Sequence, residues 1–228
     1  MNNNITVAID GNAASGKGTL AKNLATYFNY AYLDTGKLYR ASALVIKENR
    51  IDYTDINKVI ELIKSHNFLD LNFNDNALKS DDIGKLASLI SGYKELRKIL
   101  LTYQRKFAQT QHSNKLGVIL DGRDIGTIVL PEANIKFFVT ASIDVRTERR
   151  WKELISLGQS TIKRHVEKDI RDRDKRDSKR KYSPLIASQD AVLIDTTNLD
   201  ANEVFLLAKK HIEAVSYTHL TLPTNREV

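Results

Sequence analysis

Short apolar runs alternate with longer amphipathic stretches over most of this chain. The apolar runs occupy residues 6–10, 31–33, 118–121, 135–141 and 191–195. Between them, apolar residues recur every three to four positions over residues 17–28, 38–49, 95–111, 145–157 and 201–214, the spacing of a helix with one buried face. Near-continuous apolar strands that alternate with helices predict a five-stranded parallel sheet covered on both faces, and therefore a three-layer α/β fold.

Two segments interrupt this alternation. Residues 50–94 are polar and uneven, with weak strand character at 70–73, and residues 158–181 form a highly charged helical arm that ends before Pro184. We expect both to be insertions at the ends of sheet strands, where substrate clamps and lids lie. The helical period stops after residue 214, so we expect one domain over residues 1–214 and interpret 215–228 as an appended or disordered tail.

The first apolar run leads directly into a glycine-rich loop and then into a helix. The loop residues are Gly11, Asn12, Ala13, Ala14, Ser15, Gly16, Lys17, Gly18 and Thr19. Glycine lets the loop turn tightly, and the helix start offers unpaired backbone N–H groups and a positive dipole end, which together hold phosphate. Lys17 supplies a mobile cation for the outer phosphates. The strand, the spacing and the helix together predict a site for a nucleoside triphosphate.

The end of this loop also bears on metal binding. Most such loops place Ser or Thr directly after the lysine, where the hydroxyl contacts Mg²⁺, but here Gly18 holds that position and Thr19 follows. We therefore expect Mg²⁺ to be held mainly through water and substrate phosphates. Thr19 and Asp121, which ends the third apolar run, are the residues expected near the metal.

Composition narrows the choice of partner. The 228 residues carry a net charge of +7, and residues 146–181 hold 14 Lys and Arg against seven Asp and Glu, which accounts for the excess. The acidic residues interleave with the basic ones and no aromatic platform accompanies them, which favours a local site for nucleotide phosphates over a nucleic-acid partner. The sequence has no cysteine, no run long enough to span a membrane and no signal peptide, so we expect a cytoplasmic protein without a membrane partner. Nothing in the sequence demands more than a monomer.

Three further motifs carry a family resemblance. Residues 33–40 read LDTGKLYR, residues 121–127 read DGRDIGT, and the charged arm contains RDRDKRDSKR at 171–180, followed by SPL at 183–185. Together with the phosphate loop, they closely resemble the bacterial cytidylate (CMP) kinases of the nucleoside-monophosphate kinase family. The resemblance runs over residues 5–214. It implies Mg²⁺-dependent transfer of the γ-phosphoryl group of ATP to CMP and dCMP, on a P-loop core with a nucleoside-monophosphate-binding insertion and a short arginine-rich lid.

The resemblance also implies roles for individual residues. For the acceptor nucleotide, it implies Asp124, Arg97 and Ser88 at cytosine, Arg173 and Asp177 at the ribose, and Thr35, Arg40, Arg123 and Arg180 at the phosphate. Arg149 is expected at ATP, and Arg123, Arg150 and Arg173 are expected to act with Lys17 as catalytic cations. Arginine suits these roles because its planar fork pairs with two phosphate oxygens and stays charged.

Some of these features have simpler explanations. Arginines of the arm lie among i,i+4 ion pairs of the kind found on any solvated helix, and Asp34 could serve only as a helix N-cap. The insertion around residues 69–84 is also shorter than is usual in the family. Two alternatives therefore stay open: the same chemistry on UMP or a small metabolite, and a P-loop ATPase linked to nucleic acid. Asp124 and Arg97 argue against the first, and the interleaved charges argue against the second.

Overall fold

The computed structural model describes residues 5–66 and 76–221. Within them, five strands form one sheet in which every neighbouring pair is parallel. The strands are β1 (Ile5–Gly11), β2 (Ala31–Asp34), β3 (Gly117–Gly122), β4 (Ile135–Thr140) and β5 (Val192–Asp195), in the spatial order β2-β3-β1-β4-β5. The predicted α/β fold with a parallel sheet is confirmed.

Helices connect the strands and surround the sheet. In chain order they are α1 (Lys17–Tyr27), α2 (Thr35–Glu48), α3 (Ile56–Ser65), α4 (Asp81–Ile90), α5 (Lys94–Gln109), α6 (Ile143–Ser156), α7 (Lys163–Lys179) and α8 (Ala201–Thr221). A short 3₁₀ turn covers Asn76–Lys79, and a single π-helical turn covers Ile125–Val129. No helix in the described part of the chain is long and apolar enough to cross a bilayer.

The two faces of the sheet bury different clusters, because successive side chains of a strand point to opposite sides. Val7 and Ile9 of β1 pack in one cluster with residues of α1 and α8, among them Leu24 and Ile212. Ala8 belongs to the other cluster, with neighbours from β3 and α5. Both faces are therefore covered, as continuous apolar strands require.

The insertion after α2 differs from its sequence-based interpretation. Residues 50–94 read as polar and uneven in the sequence, yet they contain α3 and α4, whose apolar residues join α2 and α5 in a cluster that includes Val59, Ile63 and Ile83. Short helices of about ten residues, broken by polar turns, give too little periodicity to stand out in a single sequence. The predicted strand character at 70–73 lies outside the described residues.

The C-terminal helix also extends further than predicted. α8 continues to Thr221, so the expectation that helical structure ends at residue 214 is wrong, and Val215 packs against the core cluster of the sheet. The charged arm is helical as predicted, and α7 forms a hairpin with α6 around a small apolar cluster of Leu154, Val166 and Ile170. Because the strands are parallel, the loops after β1, β2 and β3 all meet at one edge of the sheet, where α/β proteins bind ligands.

Candidate active site

The glycine-rich loop leaves β1 in a conformation that only a few residues tolerate. A Cβ atom on Gly11 would lie 2.0 Å from the carbonyl oxygen of Val139, so no side chain fits there. Gly16 has a φ of +91°, and α1 begins at the next residue, Lys17. The loop therefore ends on the free N–H groups of a helix start, as phosphate binding requires.

Lys17 lies among charges of both signs. Burial, and then the like charge of Arg123, lower the pKa of Lys17 to about 8, while the carboxylates of Asp121 and Asp34 oppose that shift. Burial and the neighbouring Asp34 raise the pKa of Asp121 to about 7. The Tyr32 hydroxyl donates a hydrogen bond of 3.1 Å to Asp121 Oδ1. The Lys17 amine and the carboxylates of Asp121 and Asp34 therefore lie close together beside the loop.

The same carboxylates decide how a metal ion would fit. No group of three or more His, Cys, Asp and Glu residues suited to a metal occurs in the described ranges, which argues against a site built from protein ligands alone. A Cβ on Gly18 would lie 3.5 Å from Asp121 Oδ2, so this oxygen lies beside the position where most such loops carry a hydroxyl. Two adjacent carboxylates, one with a raised pKa, suit a cation held through water and phosphate oxygens.

The structure separates the two residues that were predicted near the metal. Thr19 is exposed and lines a side cavity next to α8, whereas Asp121 lies at the centre beside Lys17. Asp34 is the nearer partner of Asp121. It holds the N-cap position of α2 but makes no side-chain capping bond, so the interpretation as an N-cap alone does not account for its carboxylate.

A central cavity of about 280 Å³ opens next to Lys17. All nine residues predicted to contact the acceptor nucleotide line it, although they come from five separate parts of the chain: Thr35, Arg40, Ser88, Arg97, Arg123, Asp124, Arg173, Asp177 and Arg180. This volume is at the lower end of ordinary small-molecule sites. The geometry brings the predicted set together around one space.

One end of the central cavity carries a buried ion pair. Arg97 Nη2 donates to Asp124 Oδ2 at 2.6 Å, and Arg97 Nη1 donates to the Ser91 carbonyl at 3.0 Å. The guanidinium lies over the Tyr39 ring, 5.4 Å from its centroid. Both charged side chains are less than a tenth exposed, so their orientation is fixed by these contacts.

Ser88 is also held in place from across the cavity. Arg176 Nε on α7 donates to Ser88 Oγ at 3.2 Å. Because that hydroxyl already accepts a bond from an arginine, its own proton is available for a ligand acceptor. Arg176 was not predicted to contact the nucleotide. Its partner Ser88 lies 88 positions earlier in the chain, so local spacing in the sequence does not reveal the contact.

Asp177 organises the arginines of the lid. It accepts a hydrogen bond of 2.9 Å from Arg123 Nε and has Arg173 and Arg180 at 3.9 and 3.8 Å. Although burial acts to raise it, the pKa of Asp177 is held below its ordinary value by Arg123 and then Arg173. One carboxylate therefore offsets part of the repulsion among three arginines.

Arg173 is the least satisfied of these cations. Its Nε is buried and finds no hydrogen-bond partner within the described part of the chain. Burial, and then the charge of Arg123, lower its pKa to about 10. A cation with a buried, unpaired N–H group is suited to receive an anion.

The acceptor-side residues Thr35 and Arg40 hold bonds to the protein in this state. The Thr35 hydroxyl donates to the Asp121 carbonyl at 2.8 Å, and Arg40 Nη1 donates to the Leu78 carbonyl at 2.7 Å. A Cβ on Gly84 would lie 3.0 Å from the Arg40 guanidinium, so glycine in α4 makes room for that side chain.

A second, side cavity of about 470 Å³ lies on the other side of the loop. It is lined by loop residues Ala14, Ser15, Gly16 and Thr19, by Arg149 and Arg150, and by apolar residues that include Leu199, Ala201 and Val204. Arg149 donates to the Thr196 hydroxyl at 2.8 Å and to the Thr196 carbonyl at 2.9 Å, which holds its guanidinium flat against this cavity.

Arg150 lies between the cavities. It lines the side cavity and also a lid cavity of about 340 Å³ between α4 and α7, which Arg40 and Arg173 line as well. Its Nη1 donates to Glu153 at 2.9 Å. The neighbouring Arg146 has a different role, because it donates to the Ala13 carbonyl at 3.3 Å and to Asp174 at 2.6 Å and so connects the loop to the lid helix.

Comparison with known proteins agrees with this geometry. A family model described as cytidylate kinase matches residues 7–214. A cytidylate kinase of Rhodospirillum rubrum is 44% identical over 89% of this chain and 94% of its own length, and one of Acidiphilium cryptum is 43% identical over 94% and 98%. A solved structure of an uncharacterized protein from Eubacterium ventriosum has a TM-score of 0.54 at 16% identity, covering 92% of this chain and 99% of that one, which shows a shared fold alone. The family match spans the phosphate loop, the insertion and the lid, and on that ground the chain belongs to the cytidylate kinase family.

Proposed function

We propose that this protein transfers the γ-phosphoryl group of ATP to CMP and dCMP. The observation that carries the proposal is the buried Arg97–Asp124 pair, because it lines the same cavity that Lys17 faces. A nucleotide bound in this cavity would place its base against the Arg97–Asp124 pair and its phosphate near Lys17. The family membership supports the same reaction.

The pair suits the pairing edge of cytosine. Cytosine presents an amino donor at N4 and an acceptor at N3, whereas uracil presents an acceptor at position 4. Asp124 uses Oδ2 for Arg97, which leaves Oδ1 to accept from the amino group. Arg97 and the Ser88 proton then meet the acceptors of the base. Uracil would place a lone pair against the carboxylate, which is unfavourable.

The remaining lining residues suit a ribose and a phosphate. We assign the ribose to Arg173 and Asp177, and the acceptor phosphate to Arg40, Arg123, Arg180 and the start of α2 at Thr35. Because the Thr35 hydroxyl donates to a carbonyl in this state, its backbone N–H is the more available donor. Phosphate binding would replace the present protein contacts of Arg40 with charge-assisted bonds.

Transfer then depends on positioning and on cations. Two polyanions must approach in line, so the rate depends mainly on neutralising charge and holding geometry. Lys17 stays in contact with the phosphoryl group as that group moves from donor to acceptor. Positive charge also comes from Arg123 directly after β3, Arg150 on α6 and Arg173 on α7. Closure of the α6–α7 hairpin over ATP would exclude water and limit hydrolysis.

On the donor side, we assign the triphosphate to loop residues Gly11, Asn12, Ala13, Ala14, Ser15, Gly16, Lys17, Gly18 and Thr19, and the adenosine to the side cavity with Arg149. We propose that Asp121 and Asp34 hold the waters of Mg²⁺, with Thr19 further out. When bound, Mg²⁺ supplies positive charge to the phosphate oxygens. If Mg²⁺ binds here, Asp121 and Asp34 would accept hydrogen bonds from its waters.

A coupled ADP-release assay tests this proposal. ATP and Mg²⁺ are supplied with CMP, dCMP, UMP, AMP or GMP in turn, and with no acceptor. The expected result is fast ADP release with CMP and dCMP, slower release with UMP, and little without acceptor. Release that favours UMP or another acceptor would contradict the base assignment. Equal release without any acceptor would instead indicate an ATPase, and stimulation of that release by RNA or DNA would point to a nucleic-acid partner.

We further propose that the protein acts in the cytoplasm as a monomer without nucleic acid. The interleaved charges of α7 support the absence of a nucleic-acid stripe, because exposed pairs such as Arg171 with Glu167 neutralise each other along the helix. Light scattering coupled to gel filtration measures the oligomeric state. A mass near twice 25.8 kDa would contradict the monomer.

A further inference from the structure

The buried carboxylate of Asp10 is not explained by phosphate binding. It is the last residue but one of β1, directly before the first loop glycine, and it is only 4% exposed. Its two oxygens accept hydrogen bonds from the backbone N–H groups of Ile125 and Gly126, both at 2.8 Å. These two residues directly follow Asp124, the proposed reader of the cytosine amino group. They lie 115 and 116 residues from Asp10 along the chain.

The hydrogen bonds that Asp10 accepts hold the backbone of a π-helical turn in place. Residues Ile125–Val129 form a single π-helical turn, and Asp124 precedes it with φ −143° and ψ 26°. The first N–H groups of a helical turn have no partner within the turn, so an outside acceptor decides where the turn sits. A carboxylate that accepts two N–H groups is a strong and directional acceptor.

The turn is also confined from its other side. A Cβ on Gly126 would lie 3.2 Å from Cδ of Lys136 and 3.5 Å from Oδ2 of Asp10. Lys136 is itself buried and is held by Asp190 at 2.8 Å. The turn therefore lies between two anchored side chains, and Asp10 is the one that accepts hydrogen bonds from its backbone N–H groups.

We propose that Asp10 is a positioning residue for base selection, which sets the direction of Asp124 by holding the N–H groups of Ile125 and Gly126. The inference rests on the proposed function. It assigns Asp10 no contact with either substrate. Since Asp10 precedes Gly11 directly, it also connects the start of the phosphate loop to the segment that reads the base.

Asp10→Asn tests the inference, because the amide retains the shape but offers one acceptor and turns an NH₂ group toward the second N–H. The measurement is kcat/KM for CMP and for UMP, together with KM for ATP. The expected result is a fall of about tenfold or more in the CMP to UMP ratio, through KM for CMP, with KM for ATP within about threefold of the wild-type value. A ratio within about twofold of wild type would overturn the inference, as would a loss confined to ATP binding.

Asp190→Asn is the matched control. This variant also neutralises one acid, yet it removes the partner of Lys136 and leaves both bonds to Asp10 in place. It is expected to lower the melting temperature while the CMP to UMP ratio stays unchanged. If Asp190→Asn changes the ratio as much as Asp10→Asn does, general loosening of the turn explains both, and Asp10 has no special role.

A double-mutant cycle separates positioning from a purely structural contribution. If Asp10 acts through Asp124, adding Asp10→Asn to Asp124→Asn should change the ratio no further. Additive effects would overturn the inference. Should Asp10→Asn not fold, Asp10→Glu, which keeps the charge but displaces the carboxylate by one methylene, makes the same comparison. A wild-type protein that does not phosphorylate CMP would defeat the proposed function and the inference together, whereas an active wild type with an unchanged Asp10→Asn ratio would defeat the inference alone.

Discussion

At the residue scale, the site depends on how Lys17 is balanced between opposing charges. Arg123 repels its amine and the carboxylates of Asp121 and Asp34 attract it, while burial removes the water that would otherwise screen all three. Such a cation is neither fully paired nor free. A bound phosphate would supply the missing partner of the Lys17 amine. We therefore expect the loss of Lys17 to destabilise the transition state more than the loss of any other side chain in the site.

Lys17→Ala is expected to reduce kcat by at least about 100-fold, the scale of removing one transition-state donor. The fold should be unaffected, because this side chain does not enter the hydrophobic core. Circular dichroism and the melting temperature check that the variant folds normally. Lys22→Ala is the control, because Lys22 lies on the same helix and is exposed. Near-normal turnover of Lys17→Ala would mean that the loop is not the ATP site.

The lowered pKa of Lys17 predicts a pH dependence. The folded-state value, about 8, lies below the ordinary 10.5, so the charged amine costs stability at neutral pH and that cost disappears as pH rises from about 8 towards 10.5. Binding of ATP needs the charged form, and kcat/KM reports the free enzyme. We therefore expect kcat/KM for ATP to fall above about pH 8. Lys17→Arg should keep the residual activity flat over that range, and an unchanged fall in this variant would assign the ionisation to another group.

Asp124→Asn is expected to weaken the choice of base. The amide loses the charged acceptor for the cytosine amino group, worth roughly 1.5–3 kcal/mol, or about 10- to 150-fold in kcat/KM for CMP. UMP should lose far less or improve, because the amide can turn its NH₂ towards uracil O4. The measurement is kcat/KM for CMP, dCMP and UMP in both proteins. An equal fall for both bases would assign Asp124 to the phosphates, the metal or the fold.

Local motifs predict residues of the site better than they predict their partners. The Asp-Gly-Arg-Asp string and the phosphate loop are readable because the chemistry sits on consecutive residues. The role of Asp10 and the contact of Arg176 with Ser88 were not predicted, because each joins segments about a hundred residues apart along the chain. An acid before the loop glycine is the signal that was available for Asp10, although it does not say which N–H groups it holds.

At the element scale, the site is built between parts of unequal stability. The strands and α1 lie in the main core, whereas α6 and α7 share only the small cluster around Leu154, Val166 and Ile170. Exposed ion pairs add little to such a hairpin, since each is worth about 0–1 kcal/mol. The hairpin is therefore the part of the structure best suited to move when ATP binds.

Arg173→Ala should lower kcat more than it raises KM for either nucleotide, because lid cations act on charge shared between donor and acceptor. Arg150→Ala is expected to behave in the same way. Arg171→Ala is the matched control, since Arg171 lies two residues away on α7, is mostly exposed and pairs with Glu167. A change limited to KM would make the tested arginine a ground-state binder, and kinetics equal to those of Arg171→Ala would make it a surface charge.

The elements were predictable to different degrees, for physical reasons. The five strands were found because buried parallel strands are nearly all apolar, which is a strong pattern over four to seven residues. α3 and α4 were not found, because each contributes only a few apolar positions to a cluster that α2 and α5 complete. Tertiary contact, which a local pattern does not contain, decides the structure of the insertion.

At the scale of the whole molecule, the charge is concentrated where the two substrates meet. The excess of Lys and Arg lies in residues 146–181, and the central cavity brings Arg97, Arg123, Arg173 and Arg180 together with four acidic residues. That arrangement explains how a chain with a net charge of +7 can serve small anions without a stripe for nucleic acid.

The C-terminal helix tests where the folded unit ends. Ile212 is fully buried in the core cluster and Val215 is partly buried there, whereas the family match stops at residue 214. Truncation after Val215 is therefore expected to leave both activity and the melting temperature unchanged. Truncation after His211 removes Ile212, whose burial is worth about 1.5–3 kcal/mol, so the melting temperature should fall by at least about 3 °C. Calorimetry of the two truncated proteins beside the full chain makes the comparison. If removal of residues 216–228 alone lowers the melting temperature by several degrees, those residues pack on the domain, and their interpretation as an appended tail is wrong.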